Sequence, residues 1–167
     1  LKREKIQLGQ TGFFSGDWGN ILAGALEVEI FCCPGCGKIE LYHSCDREEL
    51  ALELAKQSIK KGIVSSVLLQ VNIGAEYSKG GYALSEAKAA FERLRNMDGL
   101  CVKGFMAMLP ESGEEEYLRS LARQMRALFD WAKAQDTKVE YLSMGMSGDY
   151  MLCVQEGSNM IRVGSTI

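Results

Sequence analysis

The sequence predicts an α/β fold in which parallel strands alternate with helices, and two observations support it. Strand-like and helix-like stretches alternate after residue 37, with strands that start near residues 38, 66, 100, 139 and 160. Every connection is long enough to return the chain parallel to the preceding strand. The run SVLLQVNI (66–73) is almost continuously apolar, as expected for a strand covered on both faces. The pattern fits an open doubly wound sheet or five units of an eight-stranded barrel.

Residues 1–37 form a divergent segment that this pattern leaves unassigned. The stretch Ile21–Phe31 is mostly apolar but has neither a helical nor a strand period. Cys33 and Cys36 frame a C-P-G-C sequence, a spacing that occurs in thioredoxin-like redox pairs and in zinc sites. No second pair follows, so a turn with free thiols is favoured over a redox or metal module.

Three long helices are predicted between the strands. The first begins at Asp46, with Glu49 completing a capping box, and ends before Gly62. Its apolar face is expected to contain Leu50, Leu52, Leu54, Ala55 and Ile59. The second presents Ala87, Ala90, Phe91, Leu94 and Met97 on one side. The third follows a capping box at 112–115, and its stripe contains Leu118, Leu121, Met125, Leu128, Phe129 and Ala132.

The C-terminal stretch carries the strongest functional signal. A short strand, Val139–Ser143, leads into a loop of small residues at 145–148, and Asp149 can cap a short helix behind it. A second strand at 160–163 then breaks into Gly-Ser-Thr. In two such loops after successive parallel strands, backbone N–H groups and hydroxyls can point toward one anion. Ordinary turns between strands and helices would show the same spacing in the sequence.

The sequence LSMGMSGDY, followed after a short helix by MIRVGSTI, resembles the C-terminal end of the pyridoxal phosphate homeostasis proteins. These are single-domain barrels related to the N-terminal domain of alanine racemase. The resemblance implies that residues 38–167 are the C-terminal part of a partial (β/α)8 TIM-type barrel that binds pyridoxal phosphate (PLP), with about five βα units corresponding to strands four to eight. It also implies that the chain is truncated at both ends.

The resemblance assigns cofactor-binding roles to residues at the carboxyl ends of the predicted strands. Ser147, Gly164 and Ser165 would hold the phosphate of PLP, since hydroxyls and closely approaching N–H groups suit phosphate oxygens. Arg162 would lie near the pyridine nitrogen and keep it unprotonated, because two positive charges repel. An unprotonated ring is a poor electron sink, which favours carrying the cofactor over catalysis. Asn72 and Met106 would line the ring.

One feature of the family has no match in this chain. The family binds PLP through a Schiff-base lysine on its first strand, inside an apolar run. Lys2, Lys5 and Lys38 precede the first predicted helix, and none lies in such a run. The expected function is therefore non-catalytic PLP binding in intracellular PLP homeostasis. The alternative is part of a PLP-dependent racemase or decarboxylase, whose barrel is followed by a second domain.

The amino-acid composition and net charge limit the kinds of molecule that the protein is expected to bind. The 167 residues are 47% hydrophobic with a net charge of −3, which argues against a nucleic-acid or anionic-membrane partner. No apolar run approaches the length of a membrane span, so a cytoplasmic protein is expected.

Overall fold

The computed structural model describes residues 6–8, 26–32 and 39–162 and divides the chain into two units, Leu1–Ser44 and Cys45–Ile167. The described part of the first unit contains antiparallel strands, namely β1 (Ile6–Leu8), β2 (Leu26–Cys32) and β3 (Ile39–Cys45, which ends on the first residue of the second unit).

The strand predicted at 38–44 is confirmed as β3, and it pairs with a strand in the segment that the sequence pattern left unassigned. It runs antiparallel to β2, with Val28 opposite His43 and Cys32 opposite Ile39. The physical reason is the connection, because residues 33–38 are too few for a crossover and allow only an antiparallel return. The strand signal of β2 is the alternation of Leu26, Val28 and Ile30 with two glutamates, which was overlooked within the mostly apolar stretch 21–31.

The second unit alternates helices and parallel strands as predicted. Its elements are α1 (Glu48–Lys60), β4 (Ser65–Val71), α2 (Leu84–Arg95), β5 (Leu100–Ala107), α3 (Glu115–Gln135), β6 (Tyr141–Ser143) and α4 (Tyr150–Gln155). β5 pairs in parallel with both β4 and β6. The strand predicted at 160–163 is represented by an isolated parallel bridge between Ser143 and Met160, and residues 163–167 lie outside the described part.

A β-bulge interrupts the pairing of β4 with β5. Val67 lies opposite Val102 and Leu68 opposite Gly104, so Lys103 is the extra residue. Its carbonyl accepts a 2.8 Å hydrogen bond from the amide of Glu140, and its ammonium donates to the Glu140 carboxylate at 3.0 Å. The bulge thus attaches β5 to the chain that enters β6.

The helices pack on the sheet through the faces that periodicity predicted for α2 and α3, and through part of the face predicted for α1, where Ala55 is buried and Leu54 packs against the core. All six predicted stripe residues of α3 are buried, and α2 buries the four of its predicted set that lie within the helix. In α1 the buried residues are Ala51, Ala55 and Ser58, whereas Leu52 and Ile59 are 54% and 57% exposed. The fully buried side chains of α1 are small, and Leu52 and Ile59 lie on its outer side.

The predicted capping boxes are wrong at both helices. α1 begins after Arg47 and α3 after Glu114, and neither N-cap residue makes a side-chain hydrogen bond. The Ser112 hydroxyl instead accepts from the amide of Glu114, ahead of the helix. Among the described residues, no helix combines the length and apolarity needed to cross a membrane.

Candidate functional site

The predicted site residues that the structure describes follow the carboxyl ends of neighbouring parallel strands. Val71, the last residue of β4, pairs with Ala107 of β5, and Met106 pairs with Ser143, the last residue of β6. Asn72 follows β4 directly, and Arg162 follows the bridge at Met160. Parallel pairing therefore places all these positions at one edge of the sheet.

Arg162 ties the ends of β5 and β6 together through its buried guanidinium. The side chain is 7% exposed. One terminal nitrogen donates to the hydroxyl of Ser143 at 2.7 Å and to its carbonyl at 3.2 Å, and the other donates to the carbonyl of Ala107 at 2.9 Å. A planar, rigid donor set is suited to such a span, and the charge is thereby fixed at the sheet edge.

The turn after β6 is held in a single conformation by its own backbone. Gly145 has φ +101°, and a Cβ there would lie 2.8 Å from the Cα of Tyr150, so only glycine fits. The Gly145 carbonyl accepts from the amide of Arg162 at 2.9 Å. Asp149 occupies the N-cap position of α4, as predicted, but its carboxylate accepts from the amide of Met146 at 2.6 Å rather than capping the helix.

Ser147 and Gly148 form the outer part of this turn. Ser147 is half-buried, whereas Gly148 is exposed and has open space where a Cβ would stand. Within the described residues the amide of Gly148 has no hydrogen-bond acceptor. The turn thus presents a serine hydroxyl next to an amide donor that an added anion can reach.

Asn72 organises the loop that follows β4. Its side-chain nitrogen donates to the carbonyls of Glu76 and Lys79, both at 2.8 Å, and its side-chain oxygen accepts from the amide of Glu76 at 3.1 Å. The Lys79 ammonium donates to the Leu109 carbonyl at 3.1 Å, which joins this loop to the one after β5. Both amide protons of Asn72 are therefore used within the loop.

Met106 lies on the face of β5 opposite to that of its neighbours Phe105 and Ala107, which belong to the core beneath the helices. It is 4% exposed. Its place next to Ser143 in the register puts it close to the guanidinium of Arg162 along the strand.

The structure brings Arg162 into contact with the ends of β5 and β6, and it places Asn72, Met106 and the Ser147 turn at the same edge. Gly164 and Ser165, like Cys33 and Cys36, lie outside the described residues. Sequence reasoning missed Ser143 as a partner of Arg162, and it missed Ser158, a buried hydroxyl between α4 and Met160. The sequence signal that could have identified Ser158 was a small polar residue directly after the glycine that ends α4.

The Cys153 thiol and the Lys103 amine are both held in their protonated forms. Burial and, to a smaller extent, the nearby Asp149 raise the pKa of the Cys153 thiol to about 12, and Arg162 acts in the opposite direction. Lys103 is the one lysine on a described strand, and its hydrogen bond to Glu140 raises its pKa. Residues 45–162 also contain no group of histidine, cysteine or acidic side chains arranged to hold a metal ion.

Comparison with known proteins identifies relatives for this sheet and its turns. The family model for the N-terminal domain of alanine racemase matches residues 36–167. The pyridoxal phosphate homeostasis protein of Aquifex aeolicus is 36% identical over 132 residues, which cover 78% of this chain and 58% of that protein. The Escherichia coli K12 protein of the same name is 34% identical over 127 residues, covering 75% and 53%.

Solved structures agree with the sequence relatives. PipY of Synechococcus elongatus, solved with PLP bound, superposes with a TM-score of 0.62 at 25% identity and covers 74% of this chain and 58% of PipY. Alanine racemase of Clostridium difficile gives a TM-score of 0.64 at 16% identity over 74% of this chain and 33% of the racemase, which shows a shared fold. The chain spans about half the length of the curated relatives that it matches.

Proposed function

This chain belongs to the alanine racemase N-terminal domain family, among the pyridoxal phosphate homeostasis proteins, and from that premise we propose that it binds PLP reversibly without turning over a substrate. The observation that carries the proposal is the hydrogen bond that joins the turn after β6 to the backbone of Arg162. Gly145 accepts from the Arg162 amide, so a hydroxyl- and amide-bearing turn is fixed beside a buried positive charge.

The phosphate is the part of PLP that these residues suit. Ser147 offers a hydroxyl and Gly148 an amide, and the guanidinium of Arg162 supplies positive charge at the same sheet edge. We assign Gly164 and Ser165 to the same phosphate site from their place in the following turn. Because α4 has only six residues, the proposal gives its helix dipole no part.

The ring of PLP would lie toward the ends of β4 and β5. Met106 would contact it with an apolar side chain, and Arg162 would face the pyridine nitrogen and oppose its protonation. Asn72 would line the ring while its two amide protons hold the loop at 76–79. A bound PLP ring kept unprotonated supplies little carbanion stabilisation, which favours a carrier over an enzyme.

The larger architecture that we propose is the C-terminal part of a (β/α)8 barrel. Three parallel strands and the bridge at Met160 support four successive positions of such a barrel. The count of five units, strands four to eight, rests on the family relationship.

Covalent attachment is the step that the described residues do not support. It needs a neutral amine held in an apolar strand, and the strand lysine Lys103 is instead bonded to Glu140 with a raised pKa. Phosphate contacts alone are expected to give a dissociation constant on the order of 1 mM.

The test is to dialyse the chain against PLP, measure the bound fraction, reduce with borohydride and map modified lysines by mass spectrometry. We expect saturable, reversible binding with only scattered trace labelling. The same chain carried through these steps in denaturing urea calibrates non-specific labelling of its lysines. Stoichiometric labelling of one lysine would show that the covalent half of the site has been misassigned, and no saturable binding would contradict the proposal itself.

A further inference from the structure

A single buried hydroxyl, that of Ser158, lies between the two chain segments that build the proposed phosphate site. The residue is 7% exposed. Its oxygen accepts from the amide of Met144 at 3.2 Å and lies 2.8 Å from the Met144 carbonyl. The carbonyls of Leu142 and Met160 are 3.0 and 2.9 Å away.

Three carbonyl oxygens surround one hydroxyl that has a single proton to donate. The Leu142 carbonyl already accepts from the amides of Asn159 and Met160, and the Met160 carbonyl accepts from the amide of Met144. Within the described residues the Met144 carbonyl has only Ser158 as a donor, at the shortest of the three distances. The Ser158 hydroxyl therefore donates its proton to the Met144 carbonyl and accepts from the Met144 amide. In this way Ser158 clamps the peptide groups on both sides of Met144.

Met144 joins β6 to the turn that forms the proposed phosphate site. It directly precedes Gly145, whose positive φ begins the turn that carries Ser147. On the other side of the clamp, residues 158–160 lead to Arg162, whose amide returns to the Gly145 carbonyl. A shift of Met144 would thus move the turn relative to the guanidinium.

We infer that Ser158 is a positioning residue: by clamping Met144 it holds the turn at 145–148 in register with Arg162, so that the turn can contact the phosphate while the guanidinium stays beside the pyridine ring. The inference rests on the proposed function and adds to it a residue that touches no part of PLP. Buried polar partners behind a binding group keep its geometry within the narrow range that binding needs.

The test compares Ser158→Ala with Ser58→Ala by titrating each protein with inorganic phosphate and following amide NMR signals. Ser58 is the matched control, because it is 2% exposed and its hydroxyl also bonds a backbone carbonyl, that of Leu54, at 2.8 Å. At a temperature where both variants are folded, Ser158→Ala should bind phosphate about tenfold more weakly than the unmodified protein. Ser58→Ala should bind within about twofold of it.

Equal affinity of Ser158→Ala and the unmodified protein, or equal losses in both variants, would overturn the inference. Failure of the unmodified protein to bind phosphate would instead contradict the proposed function.

A second measurement needs no variant. Because coupling is reciprocal, phosphate should slow hydrogen exchange at the Met144 amide and leave the Ser65 amide, bonded to Gly99, unchanged. Unaltered exchange at Met144 under saturating phosphate would overturn the inference even if Ser158→Ala does not fold.

Discussion

Replacing Gly104 with alanine should strongly destabilise the Cys45–Ile167 unit. A Cβ at this position would lie 1.8 Å from the carbonyl oxygen of Tyr141 and 2.7 Å from its carbonyl carbon. Both are backbone atoms of the chain that pairs with β5, so no side-chain rotation relieves the overlap. Gly104 also has φ +153°, next to the bulge at Lys103. β5 and β6 would have to separate.

The expected cost exceeds about 4 kcal/mol, a large part of the 5–15 kcal/mol that is typical of a whole domain. Urea unfolding followed by circular dichroism measures it. Gly113→Ala is the matched control, because a Cβ there meets nothing within 4 Å. An unfolding midpoint for Gly104→Ala equal to that of the control would contradict the close approach of β5 and β6.

Arg162→Ala should both destabilise the unit and weaken phosphate binding. The change leaves the Ser143 hydroxyl and the carbonyls of Ser143 and Ala107 without their buried donor. Each unsatisfied buried group costs about 1–3 kcal/mol, and partial relaxation should bring the total to about 3 kcal/mol. Phosphate affinity should fall at least about tenfold, because the fixed charge is lost.

Two further variants separate charge from geometry. Arg162→Lys keeps a positive charge but cannot span both strand ends, so we expect intermediate stability and partly retained phosphate binding. Arg93→Ala is the surface control, since Arg93 pairs at 3.2 Å with Glu48 and both side chains are more than 40% exposed. It should cost less than about 1 kcal/mol and leave binding unchanged. Undiminished phosphate affinity in Arg162→Ala would contradict the assigned role of Arg162.

Elements whose side chains repeat with a clear period could be predicted from the sequence. The stripe of α3 from Leu118 to Ala132 and the apolar run of β4 both have the burial that their patterns indicated. The face of α1 could not be read in the same way. Burial there depends on how closely a helix approaches the sheet, which favours Ala51 and Ala55 over Leu52 and Ile59.

The bulge in β5 and the strand β2 escaped prediction. Alternation cannot reveal that Lys103 is an extra residue, because a bulge is set by the partner strand. The alternation of residues 26–30 was a strand signal, but it was overlooked within the longer, mostly apolar stretch 21–31.

The candidate site was predicted through residues in a contiguous motif, and the parts outside that motif were missed. Ser147 and Arg162 were identified because they stand in two characteristic turns. The contacts of Ser143 with Arg162 and of Ser158 with Met144 join positions 19 and 14 residues apart. Such pairs are determined by tertiary packing, and a hydroxyl in the sequence does not indicate which distant peptide group it will bond.

The turn at 145–148 should bind the phosphate of PLP, with the positive charge of Arg162 fixed beside it at the pyridine ring. The most direct measurement is a titration of the isotopically labelled chain with PLP, in which amide NMR signals are followed residue by residue. We predict saturable shifts concentrated at Ser147, Gly148 and Arg162, reproduced by inorganic phosphate, with the amide of Ala51 on α1 unaffected. Saturable shifts elsewhere that leave the signals of the turn unmoved would contradict the claim.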